Sequence, residues 1–211
     1  MTMTPPPRQP TPDDTCAAAA EQAYRSGAYR LLAALLRSAP DDTTLRHTAG
    51  LNRHATGEHR DSDLPVALTA LARAACNTTA DNLANEYHRL FIGLGRGELV
   101  PYGAWYQTGF LMERPLGVLR DDLAALGFER ATDVKEPEDH VAALFEVMAL
   151  LITDGANDRT QWTFFERHLA PWIDRFFTDL AHAQGAVFYQ TVAHVGQAFM
   201  TIERRYLTMP G

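Results

Sequence analysis

Glu136-Pro137-Glu138-Asp139-His140-Val141-Ala142-Ala143-Leu144-Phe145-Glu146-Val147-Met148-Ala149-Leu150-Leu151-Ile152 is the stretch on which the fold class turns. A proline in the first turn, with carboxylates at the positive end of the aligned peptide dipoles, marks the start of a helix. Val141, Leu144, Phe145, Met148, Leu151 and Ile152 then recur every three or four residues as one apolar stripe, and Gly155 ends it. The same period extends in both directions. Upstream, Tyr24, Ala28, Leu31, Leu32, Leu35 and Leu36 make a stripe that Pro40 stops. A weak helix is expected over 44–55. Ser62 or Asp63 then caps a helix with Pro65 in its first turn that runs to about Cys76, and Leu83, Tyr87, Leu90 and Phe91 share one face of the next.

Downstream, Trp162, Phe165, Leu169, Trp172, Phe176, Phe177 and Leu180 form a helical pair broken at Pro171. Phe188, Val192, Val195, Phe199, Ile202 and Tyr206 predict a last helix with a seam packed along its whole length. Sustained two-residue alternation is missing, and so is any internal repeat. The reading is an all-α, single helical-bundle domain of about nine or ten helices over 15–211. A Pro-rich tail over 1–14 is expected to be disordered, and a hinge is expected near 128–136.

Of the 211 residues, 46% are apolar and 21% charged, too apolar for a disordered chain. The net charge of −7 argues against non-specific nucleic-acid binding and favours a basic partner. The sequence holds no apolar run of about 18 residues, so no membrane-spanning helix is expected. The first twelve residues contain five prolines and no apolar stretch, unlike a secretory signal, which makes a cytoplasmic address the expectation. Cys16 and Cys76 form no Cys-x-x-Cys pair and are read as buried or idle thiols in a reducing compartment.

Chemistry-bearing motifs are few. Gly93, Gly95 and Gly97 alternate ahead of Pro101 and Gly103, giving a loop of about ten residues, long enough to be functional. It follows a helix rather than a strand, which removes the phosphate-loop reading. Tyr102, Trp105, Tyr106 and Phe110 come next, on a short helix expected over 105–112. His47, His54 and His59 read as solvated, His168 and His182 as surface or capping residues, and His194 as an ordinary helical residue. On a helix, Glu136 and His140 would share a face. Spacing alone makes this cluster a charged first turn, and makes Tyr87, Leu90 and Phe91 core. The functional alternatives are a polar recognition site or a metal or acid–base site. An aromatic-lined groove beside an acidic turn would take an apolar peptide that carries basic residues.

Three runs together carry a resemblance: Glu86-Tyr87-His88-Arg89-Leu90-Phe91-Ile92-Gly93, then Pro101-Tyr102-Gly103-Ala104, then Glu136-Pro137-Glu138-Asp139-His140. With Phe165-x-x-His168-Leu169-x-x-Trp172 and Phe188-Tyr189 behind them, the chain from about Tyr24 to Tyr206 resembles the TorD/DmsD family of molybdoenzyme-specific chaperones, also called redox-enzyme maturation proteins. The resemblance implies an all-helical, TorD-like fold without catalytic turnover. It implies a cytoplasmic, system-specific chaperone that binds the apo form and the twin-arginine signal peptide of a DMSO-reductase-family molybdoenzyme. Such a chaperone assists cofactor insertion and delays export until maturation.

Residue by residue, Tyr87, Leu90 and Phe91 match the aromatic-x-x-Leu-Phe motif, Pro101 and Tyr102 a Pro-aromatic pair at the signal-binding groove, and Asp139 and His140 the polar end of the hinge motif. Trp often stands in the family where this chain has Tyr87 and Tyr102, and Ser where it has Ala104. Leu90, Tyr102 and Trp105 are the expected apolar contacts for the peptide, and Glu136, Glu138 and Asp139 the expected arginine partners.

The partners implied are the molybdenum oxidoreductase catalytic subunit and the cofactor-biosynthesis proteins, with neither nucleic acid nor stable membrane insertion. Guanine-nucleotide binding, reported for relatives, finds no phosphate loop here, and no cofactor or bound metal is expected. The rival readings are a nitrate-reductase-type assembly chaperone and, from another class, a metal-dependent hydrolase using Asp139 and His140. The sequence leaves open the client's identity and the choice between a monomer and a domain-swapped dimer.

Overall fold

A computed structural model describes residues 12–51, 63–93, 97–131 and 134–208. Among them are ten α-helices: α1 (Pro12–Arg37), α2 (Asp42–Gly50), α3 (Leu64–Cys76), α4 (Ala80–Tyr87), α5 (Gly103–Thr108), α6 (Arg114–Ala125), α7 (Val141–Thr153), α8 (Asp158–His168), α9 (Ile173–His182) and α10 (Phe188–Thr208). A five-residue π-helical turn, His88–Ile92, continues α4. The expected tail over 1–14 lies outside the described residues as far as residue 11, and α1 begins at Pro12. Of the weak helix expected over 44–55, α2 supplies the part that is described, capped by Asp41 through Thr44 N at 2.7 Å.

Helix α1 packs along α7, α10 lies against both α3 and α9, and α2 covers α3. Every residue of the α7 stripe read from the sequence is buried. In α1 and α10 the seam departs in part from that reading. In α1 the buried line runs through Arg25, Tyr29, Leu32 and Leu36, while Tyr24 is 47% exposed. Arg25 is drawn inward by Glu203 of α10, with Nε–Oε2 at 2.8 Å and Nη2–Oε1 at 2.5 Å. Its guanidinium also lies 3.8 Å over the Tyr206 ring. A charge leaves water only where a well-placed opposite charge receives it, so this pair sets the register at both ends.

In α10, Phe188, Val192, Val195 and Phe199 are buried as expected, but the seam then drifts to Glu203 and Leu207. A strict 3.5-residue seam slides around a straight helix of 3.6 residues per turn. Helices α9 and α10 meet closely at Gly196, where a Cβ would stand 2.2 Å from the Phe177 ring.

The expectation that Glu136 opens a helix is corrected: α7 starts at Val141. His140 is its extended N-cap, and residues 136–139 form a turn outside it. Glu136 and His140 therefore share no helical face. The cause is a long-range pairing. Gly103 N donates to Asp139 O at 2.9 Å and Val141 N to Pro101 O at 2.9 Å, around an isolated antiparallel bridge between Tyr102 and His140. The same clip starts α5 at Gly103, and Gly109, left-handed at φ 83°, ends it at Thr108, short of the expected Met112.

Candidate functional site

The first motif, Glu86 to Phe91, faces inward. The Glu86 carboxylate, buried, accepts Val187 N at 2.8 Å and Tyr189 N at 2.9 Å, and so caps α10. The Tyr87 hydroxyl donates to Arg37 O at 2.9 Å, within reach of Leu36 O at 3.3 Å, tying down free carbonyls at the end of α1. Burial pushes its pKa up to about 12, keeping it a donor. Leu90 is fully buried, and Phe91, half-buried, meets the Tyr189 ring edge-on at 5.4 Å. The chain returns against this turn so closely that a Cβ on Gly97 would lie 2.5 Å from Leu90 O. Glu98, just beyond, accepts Gln184 N at 2.5 Å and Gly185 N at 3.0 Å. The expectation that Leu90 offers apolar surface to a ligand is thus corrected: with the core around it, Leu90 shapes the site from behind.

The second motif forms the clip with Pro101–Ala104, and its side chains point to different sides. Asp139, 4% exposed, accepts Ala104 N on Oδ2 at 2.8 Å and caps α5 from 35 residues away. Burial raises its pKa, partly offset by that hydrogen bond. His140 accepts Ala142 N on Nδ1 at 3.2 Å, which fixes the neutral tautomer, and burial lowers its pKa to about 4. The Tyr102 ring stands edge-on to the imidazole at 5.1 Å, and its hydroxyl donates to the exposed Glu136 carboxylate. Pro101 is buried beneath the clip.

Two hollows flank this ridge. One, of about 290 Å³, has Phe128, Val134, Val147 and Leu150 as apolar lining and Glu129, Glu136, Glu138, Glu146 and His140 around them. Arg37 and Arg130 line it as well, and three arginines spend their charge on its acids: Arg37 pairs with Glu146, and Arg120 (2.9 Å) and Arg130 (3.6 Å) with Glu138. Partial burial acts to raise the Glu138 pKa, but Arg120 and Arg130 bring it below its ordinary value. Glu136 and Glu129 are the exposed carboxylates that no arginine of the described residues engages. The other hollow, of about 500 Å³, is walled by Ala104, Asp139, Pro115, Val118, Leu119 and Leu144, with Arg114 and Arg167 at its edge.

Of the expected arginine partners, then, only Glu136 is both exposed and without a cation among the described residues. Glu138 is already paired and Asp139 is enclosed. Trp105, half-buried, lines a separate hollow with Tyr106, Arg175 and Asp179, so it adds no surface to the acidic groove. Asp139 lines one hollow and His140 the other, and the pair does not converge as an acid–base or metal site would require. Among the described residues no group of three or more His, Cys, Asp or Glu is placed to hold a metal ion.

His168, read from sequence as a surface or capping residue, is instead buried. Its Nε2 lies 2.7 Å from Asp122 Oδ2 and its ring rests on Phe164 at 4.9 Å. His54 and His59 lie outside the described residues, while His47, His182 and His194 are exposed. Cys16 and Cys76 are free and exposed, not buried. The sequence reading missed Arg37, Phe128, Arg130 and Glu146 as groove residues. They come from three separate segments, α1, the stretch after α6 and α7, and the packing of α1 on α7 brings Arg37 beside Glu146.

A family model described as "nitrate reductase delta subunit" matches residues 58–178. Among the relatives, the chaperone protein TorD of Vibrio atlanticus (strain LGP32) is 24% identical over 178 residues, covering 76% of this chain and 83% of that protein. TorD of Shewanella loihica is 25% identical over 196 residues, with 85% and 90% covered. The Tat proofreading chaperone DmsD of Salmonella typhi is 26% identical over 186 residues, with 86% and 89% covered. Among solved structures, a candidate redox enzyme maturation protein from Archaeoglobus fulgidus superposes with a TM-score of 0.57 at 18% identity, over 84% of this chain and 93% of that one, which is a likeness of fold. Among the described residues no helix is long and apolar enough to cross a membrane.

Proposed function

The chain belongs to this family of nitrate reductase delta subunits and TorD-type chaperones, and from that premise we propose that it is a cytoplasmic chaperone dedicated to one DMSO-reductase-family molybdoenzyme. It binds the apo form of that enzyme and its twin-arginine leader, assists cofactor insertion and holds back export until the enzyme is mature. The relatives named as chaperones support the class of activity.

The observation that carries the leader-binding half is the groove beside the clip. Its apolar lining suits the greasy segment of a leader, and it carries two exposed carboxylates that no arginine of the described residues engages, Glu129 and Glu136. Guanidinium groups pair with carboxylates in a planar, two-pronged geometry that lysine cannot reproduce. The Glu136 carboxylate is already oriented by the Tyr102 hydroxyl, so less side-chain freedom is lost on binding.

Calorimetric titration with the leader of a DMSO-reductase-type catalytic subunit tests this. Binding is expected, weakened about tenfold (about 1.4 kcal/mol) when both arginines are replaced by lysine. Equal affinity for both peptides, or none for either, rejects the reading. The family description also favours a second client, a nitrate reductase catalytic subunit. The same titration with that subunit's N-terminal segment decides between the two.

A further inference from the structure

The loop joining α5 to α6 presents Phe110, Leu111 and Met112 to solvent, 67%, 49% and 72% exposed. Three consecutive large apolar side chains facing water are unusual in a stable domain and mark a contact surface. The loop is also built to hold them out. Gly109 is left-handed at φ 83°, and Met112 adopts φ 58°, where residues with a Cβ are seldom found. The Thr108 hydroxyl lies 3.2 Å from both the amide and the carbonyl of Phe110, fixing the bend.

This prong adjoins the 500 Å³ hollow on the far side of the clip from the acidic groove, whose apolar wall is Pro115, Val118, Leu119 and Leu144. Arg114, exposed and in no ion pair among the described residues, stands at its edge, and Arg167 beside it shares its charge with Asp122 at 2.9 Å. Asp139 also lines this hollow but is enclosed and bonded to Ala104 N. The exposed charge left unpaired here among the described residues is thus the Arg114 guanidinium, opposite in sign to the open carboxylates of the first hollow.

We infer that the Phe110–Met112 prong and the Arg114 hollow form a second docking surface for an apolar, carboxylate-bearing segment of the mature part of the client, distinct from its leader. This rests on the chaperone reading above and deepens it. The leader engages the acidic groove, the mature chain engages the prong and the arginines, and the ridge of Tyr102 and His140 separates them. Charge complementarity selects this occupant: a second basic leader would meet Arg114 and be repelled.

The test uses the full chain, its triple variant Phe110→Ser/Leu111→Ser/Met112→Ser, and Arg114→Glu. All four side chains are exposed, so both variants are expected to fold, and circular dichroism with thermal melting checks this. The probes are the leader peptide and the DMSO-reductase-type catalytic subunit made without its cofactor and without its leader. Each variant is expected to bind the leaderless subunit at least tenfold more weakly and the leader peptide unchanged. Unchanged affinity for the leaderless subunit overturns the second surface while leaving leader binding intact. Failure of the unaltered chain to bind the leaderless subunit overturns it as well, and loss of leader binding by the unaltered chain strikes the chaperone reading itself. A concentration-dependent dimer that the triple variant abolishes identifies a second copy of this chain as the occupant and overturns the proposal.

Discussion

The segments Glu86–Ile92 and Glu136–His140 carry comparable weight as sequence motifs, yet the fold uses them in opposite ways. In the first, Glu86 caps α10, the Tyr87 hydroxyl closes the end of α1 and Leu90 is core. In the second, Asp139 and His140 are structural caps while Glu136 remains in water. A motif recognised by its residue types is therefore a mixture of support and contact, and burial tells which member does which. The π-helical turn at His88–Ile92 belongs to the support: it lets the returning chain lie against Leu90, with Leu99 N donating to Leu90 O at 2.8 Å.

The largest effect that would sharpen this contrast is in the inward motif. Leu90→Ala removes a fully buried side chain next to a close backbone crossing and is expected to cost about 3 kcal/mol of stability. Urea unfolding checks it. A change below about 1 kcal/mol would mean that the motif is not built in as described.

Next comes pH. The His140 pKa is about 4 in the folded chain against about 6.5 when unfolded. As pH falls, the unfolded chain takes up this proton first. The stability this residue contributes is complete above about pH 7 and is lost between about pH 6.5 and 4, by on the order of 3 kcal/mol in all. Urea midpoints measured at pH 7.5 and pH 5 should separate for the natural chain and converge for His140→Asn, relative to their other titrations. Parallel curves would place the imidazole in water.

The smallest effects divide the second motif within itself. Asp139→Ala removes the cap of the six-residue α5 and is expected to cost about 1–2 kcal/mol. Any loss of peptide binding it causes then comes with a lowered melting temperature. Glu136→Gln should change stability by less than about 0.5 kcal/mol and yet weaken the twin-arginine leader several-fold in the titration described above. The reverse pattern, with Asp139 silent in stability and Glu136 silent in binding, would exchange their roles.

Helix positions were legible because a helix is specified locally. The α7 stripe, the break at Pro171 and the left-handed glycine after α6, Gly127 at φ 80°, all depend on residues a few positions apart. Register failed where a partner far along the chain intervened. Arg25 pairs with Glu203 across 178 positions, and its burial turns α1 away from Tyr24. His168 looked peripheral because Asp122, its partner, is 46 positions distant.

By itself, the sequence determined an all-α bundle, its helices near their observed places, and the family to which the chain belongs, since apolar period, prolines and glycines act through neighbours on the same turn. Only the tertiary structure decided that 136–139 is a turn rather than a first helical turn, and that Leu90 is support while Glu136 is surface. It alone placed an acidic and a basic hollow on either side of one ridge. Those outcomes rest on hydrogen bonds between Pro101–Ala104 and Asp139–Val141. Backbone groups that need partners took them from across the fold, and no local pattern encodes which distant segment supplies them.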